Sequence, residues 1–231
     1  MSLLLHVNGL SATRNEVYNI PTPDHTSTWQ PVPHRDFIET ILENADKAGL
    51  TIRSEAYGLA NKGKRLFGVI AFDQGNEHGW SIGIRNSHDK SLKAGIVGGA
   101  RIFVCDNLCF SGEFKAQRKH TPKIDINSMI GDAFSQLPDQ IDNLYKNLER
   151  LKMEGLTEDE AKLAIFKAAE DRIVAPSEVL NIWHEFQKPT YSEFQEPTKF
   201  NLLMAFTEQA KTYSAGKLDK LHQKLPALLG Y

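Results

Sequence analysis

Residues 65–72 read Arg-Leu-Phe-Gly-Val-Ile-Ala-Phe, and both alternating sets are apolar: Leu66, Ile70 and Phe72 on one parity, Phe67, Val69 and Ala71 on the other. Successive side chains of a strand point to opposite faces. A segment apolar on both faces therefore belongs in the middle of a sheet. Its neighbours agree with that placement. Residues 51–59 run into it through Asn61-Lys62-Gly63-Lys64, a hairpin-turn sequence. After a polar loop at 73–79, Trp80, Ile82 and Ile84 alternate with Ser81, Gly83 and Arg85 as a third strand. Connections this short make an antiparallel meander. Residues 89–97 read as a short helix capped by Ser87 or Asp89, and 101–105 as a fourth strand after a Gly98-Gly99 turn.

Helices flank this sheet. Phe37, Ile38, Ile41, Leu42 and Ala45 recur at helical spacing between Pro33 and Gly49, which predicts a helix over 34–48. Residues 1–33, punctuated by Pro21, Pro23, Pro31 and Pro33, read as an extended arm packing through Trp29 and Val32. From 125 onward the pattern is helical. A stripe from Met129 to Leu151 passes through Pro138, a site for a kink, and serves packing within the chain or between chains equally well. Thr157-Glu158-Asp159-Glu160 is a capping box, Pro176-Ser177-Glu178 opens another helix, and 200–213 and 217–229 complete the set. The predicted class is α+β: an antiparallel meander with a flanking helix, then a helical C-terminal half. The predicted division is an arm (1–33), an α+β core with basic polar clusters (34–124) and a helical region packed on it (125–231).

The net charge of −2 conceals an asymmetry. Residues 51–124 hold 12 Lys/Arg and 6 Asp/Glu, a balance of +6, whereas residues 125–231 hold 12 against 17. A basic middle between acidic flanks fits one module that holds an anion. No apolar run approaches the roughly 20 residues of a membrane span, and Leu3-Leu4-Leu5 is too short for a signal-peptide core. The expectation is a cytoplasmic protein without membrane contact. Cys105 and Cys109 supply neither a disulfide framework nor a four-cysteine zinc site, and their apolar flanks favour buried, inert thiols.

Four polar clusters end short apolar runs within 80–121. Arg85-Asn86-Ser87-His88-Asp89-Lys90-Ser91 gathers guanidinium, amide, hydroxyl and imidazole groups suited to phosphate or base edges. Arg118-Lys119-His120 is a basic stretch after a predicted apolar turn at 110–114, with Phe110 or Phe114 placed to stack on bases. The predicted nucleic-acid contacts are Arg85, Asn86, Ser87, His88, Lys90, Arg101, Asn107, Phe110, Arg118, Lys119 and His120. A metal reading would use His88, Asp89, Asp106 and His120, but these lack ligand spacing on one helix face. No metal and no cofactor is predicted.

Several of these stretches resemble a known family. Trp29-Gln30-Pro31-Val32-Pro33-His34, Ala56-Tyr57-Gly58-Leu59, Leu66-Phe67-Gly68, Arg85-Asn86-Ser87-His88-Asp89, Val104-Cys105-Asp106-Asn107, Phe110-Ser111-Gly112, Arg118-Lys119-His120-Thr121 and the late Ala205-Phe206-Thr207-Glu208 are similar to landmarks of the DUF932 family. That family comprises phage- and plasmid-associated proteins with no assigned activity. The resemblance implies a mobile-element setting and carries no catalytic residues with it. The element order also resembles single-strand annealing proteins, at the level of fold alone. The expected function is binding of nucleic acid, single-stranded DNA or RNA, through a basic sheet and loop surface, with an oligomer as one form. Two other classes fit the same residues. One is an enzyme on a nucleotide or nucleic acid, with His88, His120 and Asp89 or Asp106 as acid–base groups. The other is an interaction protein whose acidic helical half engages a host defence factor.

Overall fold

The computed structural model describes residues 10–73, 78–102, 107–211, 213 and 215–231. Six strands form one antiparallel sheet in chain order: β1 (Leu10–Ala12), β2 (Thr51–Ala60), β3 (Arg65–Asp73), β4 (His78–Ser87), β5 (Ala94–Ile102) and β6 (Asn107–Arg118). The doubly apolar segment is β3, paired on both sides, as its composition requires. Helices α1 (Arg14–Tyr18) and α2 (His34–Lys47) precede the meander, and α3 (Ile126–Met153) follows it. The C-terminal half adds α4 (Glu158–Glu170), α5 (Val179–Gln187), α6 (Lys199–Ala210) and α7 (Ala215–Leu229). The α+β class with a helical second half is what the sequence predicts. No helix of the described residues is long and apolar enough to cross a membrane.

Two hydrophobic cores share α3. In the first, Phe37, Ile38 and Ile41 of α2 and Met129, Ile130 and Phe134 of α3 close over Tyr57, Leu66, Ile70, Phe72, Ile82, Ile84 and Ile96. In the second, Leu144, Leu148 and Leu151 of α3 meet α4–α7 around α6, where every residue from Phe200 to Phe206 is buried. Each such side chain is worth roughly 1.5–3 kcal/mol on burial. One helix thus belongs to both cores, running as a single element through Pro138. Tyr145 packs against both.

The registers also fix which residues face the first core. Tyr57 of β2 pairs with Gly68, and Gly68 pairs with Ile84. A Cβ on Gly68 would lie 2.8 Å from Tyr57 Cδ1 and 3.0 Å from Ile84 Cγ1, so glycine admits the tyrosine ring here.

Three local expectations are corrected. Residues 94–102 are one strand, not the end of a helix followed by a turn, and Gly98-Gly99 lies inside it beside a register shift. Glycines weaken the local strand signal, but ladder bonds from β4 and β6 on either side supply what the sequence lacks. Residues 110–114 are part of the twelve-residue β6 rather than a turn. The arm also carries structure: β1 adds to β2, and α1 is held by a Thr13–Glu16 capping box and an Arg14–Glu55 ion pair at 2.6 Å. Cys105 and Asp106 lie outside the described residues.

Candidate functional site

An antiparallel meander returns every second connection to the same end of the sheet. Here those connections are the Asn61–Lys64 turn, residues 88–93 and residues 119–125. With Arg118 at the end of β6 they carry Lys62, Lys64, Lys90, Lys93, Lys119 and Lys123, all exposed. Stretches separated by more than 50 positions in the chain thus pool their charge on one rim.

The rim is stiff. Asn61, Lys62 and Lys90 hold left-handed backbone, at φ 51°, 55° and 64°. The first two connections are tied together at Asp89, whose Oδ2 accepts from Asn61 Nδ2 at 2.7 Å and from Arg65 Nε at 2.6 Å. Its Oδ1 accepts from the Ser91 backbone N–H at 3.0 Å and from the Ser91 hydroxyl. The backbone N–H of His88 donates to the Lys64 carbonyl at 2.7 Å. Burial alone would raise the Asp89 carboxyl, but these donors hold it well below the usual carboxylate range.

Beneath the rim, residues 29–34 cross the sheet end as a strap fastened by imidazoles. His34 and His88 stack with ring centroids 3.8 Å apart and planes within 5°. Asn86 Nδ2 donates to the Val32 carbonyl at 2.8 Å and to His34 Nδ1 at 3.0 Å. His34 Nε2 then donates to the Gly63 carbonyl at 3.0 Å, and His88 Nε2 donates to the Val32 carbonyl at 2.9 Å. This pattern requires His34 neutral, with its proton on Nε2. Burial first, and the neighbouring His88 second, push His34 down to about 3. Burial likewise lowers His88 and His120. The Gln30 backbone N–H donates to the His120 carbonyl at 3.1 Å, Trp29 packs on the His120 ring, and Lys90 Nζ lies 5.0 Å above the indole.

Of the sequence-predicted contacts, Lys90, Arg118 and Lys119 stand on the rim. Asn86, Ser87, His88 and His120 are buried and serve the strap and loops; Ser87 Oγ donates to the Leu92 carbonyl at 2.9 Å. Arg85 is not at a strand end but within β4, on the face away from the first core, where its Nη2 donates to Gln117 Oε1 at 2.9 Å. Arg101 and Asn107 sit at the opposite end of the sheet: Arg101 pairs with Gly79 and Leu108, and Asn107 with Ile102. At the strand rise, Arg101 is roughly 23 Å along β5 from Ala94. The side chains of Arg101, Asn107 and Phe110 lie outside the described residues. Of the acid–base set, His88 and His120 are interior, Asp89 is tied to Arg65, and Asp106 is not described. Among the described residues, no three His, Cys, Asp or Glu gather as metal ligands.

Lys62, Lys64, Lys93 and Lys123 belong to the rim, and His34 to the strap, although none is among the predicted contacts. The signal for the lysines is the hairpin itself, since a turn and the loop two strands later must lie side by side. Comparison with family models, curated proteins and solved structures finds no match to this chain.

Proposed function

We propose that the chain binds nucleic acid, preferentially single-stranded, along the basic rim. The observation that carries this reading is the convergence of six exposed lysines from three connections, and of Arg118 at the end of β6, onto one sheet end. A polyanion's phosphates suit such an array, because each neutralised phosphate releases condensed counterions. The Asp89 tie and the strap hold the lysine-bearing loops in place before any ligand arrives, which lowers the ordering cost of binding. A phage or plasmid setting, as the resemblance to the DUF932 family implies, belongs to the same proposal.

The test is fluorescence anisotropy with a labelled oligonucleotide across a salt series. Affinity should fall log-linearly with salt, and a Lys90→Ala/Lys93→Ala variant should shallow the slope by about 1.4, roughly 0.7 per lost phosphate contact on a single strand. Absence of binding at low salt, or binding indifferent to salt, refutes the proposal.

A further inference from the structure

β3 is apolar on both parities, yet the second parity is only partly buried at its Phe67 end. Among the described residues, Leu66, Ile70 and Phe72 are buried in the first core, whereas Phe67 and Val69, with Val97 of β5, belong to neither core and are half-buried. Ala71 and its partner Ser81, farther along the same face, are buried, so the exposed part of this face is its rim end. The register lays out this second face row by row. Directly across the strands from Gly58 of β2 run Phe67, Arg85, Gly95 and Gln117 of β3 to β6. The adjacent row is Ala56, Val69, Gly83 and Val97.

Little side-chain bulk flanks Phe67 across the strands. Phe67 has a glycine, without a side chain, as its partner on one side. Its partner on the other side, Arg85, reaches across Gly95 to Gln117, away from the phenyl ring. The guanidinium passes close over Gly95, where a Cβ would be in ordinary van der Waals contact with Gln117 Cβ at 3.4 Å and Arg85 Nε at 3.5 Å. Across the strands the ring is thus bordered by a glycine and a guanidinium, two neighbours that accommodate a stacked base. The rim adjoins it directly, since Arg65 at the start of β3 is two residues from Phe67, about 7 Å along the strand.

We infer that this second sheet face is a base-stacking platform for single-stranded nucleic acid, with Phe67 as the stacking ring and Arg85 beside it. The inference rests on the nucleic-acid reading of the rim. The positive charge next to the apolar face selects a polyanion as its occupant, and a half-exposed aromatic ring selects unpaired bases. A duplex keeps its base faces inside its own stack and shows only their edges.

The experiment compares three labelled probes of equal length at low salt: an oligothymidine strand, a strand of abasic sites with the same phosphates, and a duplex. Oligothymidine should bind roughly tenfold tighter than the abasic strand, the worth of one stacked base. Phe67→Ala and Phe67→Leu should both erase that preference while leaving abasic binding unchanged, and Phe67→Tyr should keep it. Circular dichroism melts check that each variant folds. Equal binding of oligothymidine and abasic strands by the wild-type chain overturns the platform and leaves the rim reading intact. Failure to bind any probe overturns both. A wild-type dimer that Phe67→Ala converts to a monomer also overturns the platform, because the face would then be a contact between copies of this chain.

Discussion

Acid should loosen this protein through its stacked imidazoles before its carboxylates titrate. In the unfolded chain His34 has its ordinary pKa of 6.5, and in the folded chain it is pushed down to about 3. The unfolded state therefore binds more protons over that interval. The stabilisation is fully present above 6.5, declines as pH falls through it, and is fully lost below about 3. At about pH 5 the chain is roughly 1.5 units below 6.5, and at about 1.36 kcal/mol per unit the loss from His34 alone is about 2 kcal/mol. That is a large fraction of a typical domain's stability. His88 and His120, lowered by burial, add to the loss in the same direction. The local cause is visible in the hydrogen bonds. A proton on His34 Nδ1 would face the Asn86 amide donor, and a charged His88 would lie 3.8 Å away in the stack. The assay is urea unfolding at about pH 7.5, 6 and 5 for the wild type and for His34→Gln. The glutamine variant should be less stable at neutral pH but lose about 2 kcal/mol less on acidification. Parallel pH dependences for the two proteins would refute the reasoning.

Two further outcomes follow from packing and capping. Gly68→Ala should destabilise by about 1–3 kcal/mol, because the new methyl meets the Tyr57 ring at 2.8 Å in a filled core; a neutral result in urea titration would show that Tyr57 yields. Thr157→Ala removes the capping box of α4 and should lower stability by about 1 kcal/mol, read as a fall in urea midpoint with unchanged m-value.

Local physics made much of this fold legible. The Pro33 to Gly49 bracket sets α2, Thr157 and Glu160 set the start of α4, and the two-parity apolar run sets β3 at the interior of a sheet. Each depends on residues within a turn or two of one another, which a one-dimensional pattern contains. The 94–102 strand was not legible, because its glycines argue locally for a turn and only ladder bonds from two neighbouring strands make it extended. The rim was half legible. Lys90, Arg118 and Lys119 show in the sequence as a local excess of charge, but their union with Lys62, Lys64, Lys93 and Lys123 requires the meander's register. His34 and His88, 54 positions apart, become a stacked pair only when the strap closes on the sheet end. The sequence by itself determined α2, α4, the interior strand β3 and that the middle of the chain is basic. The tertiary structure decided which cations share a surface, which histidines are removed from water, and which end of the second face of β3 is left half-buried. Those depend on contacts between segments far apart in the chain, and no local pattern encodes them.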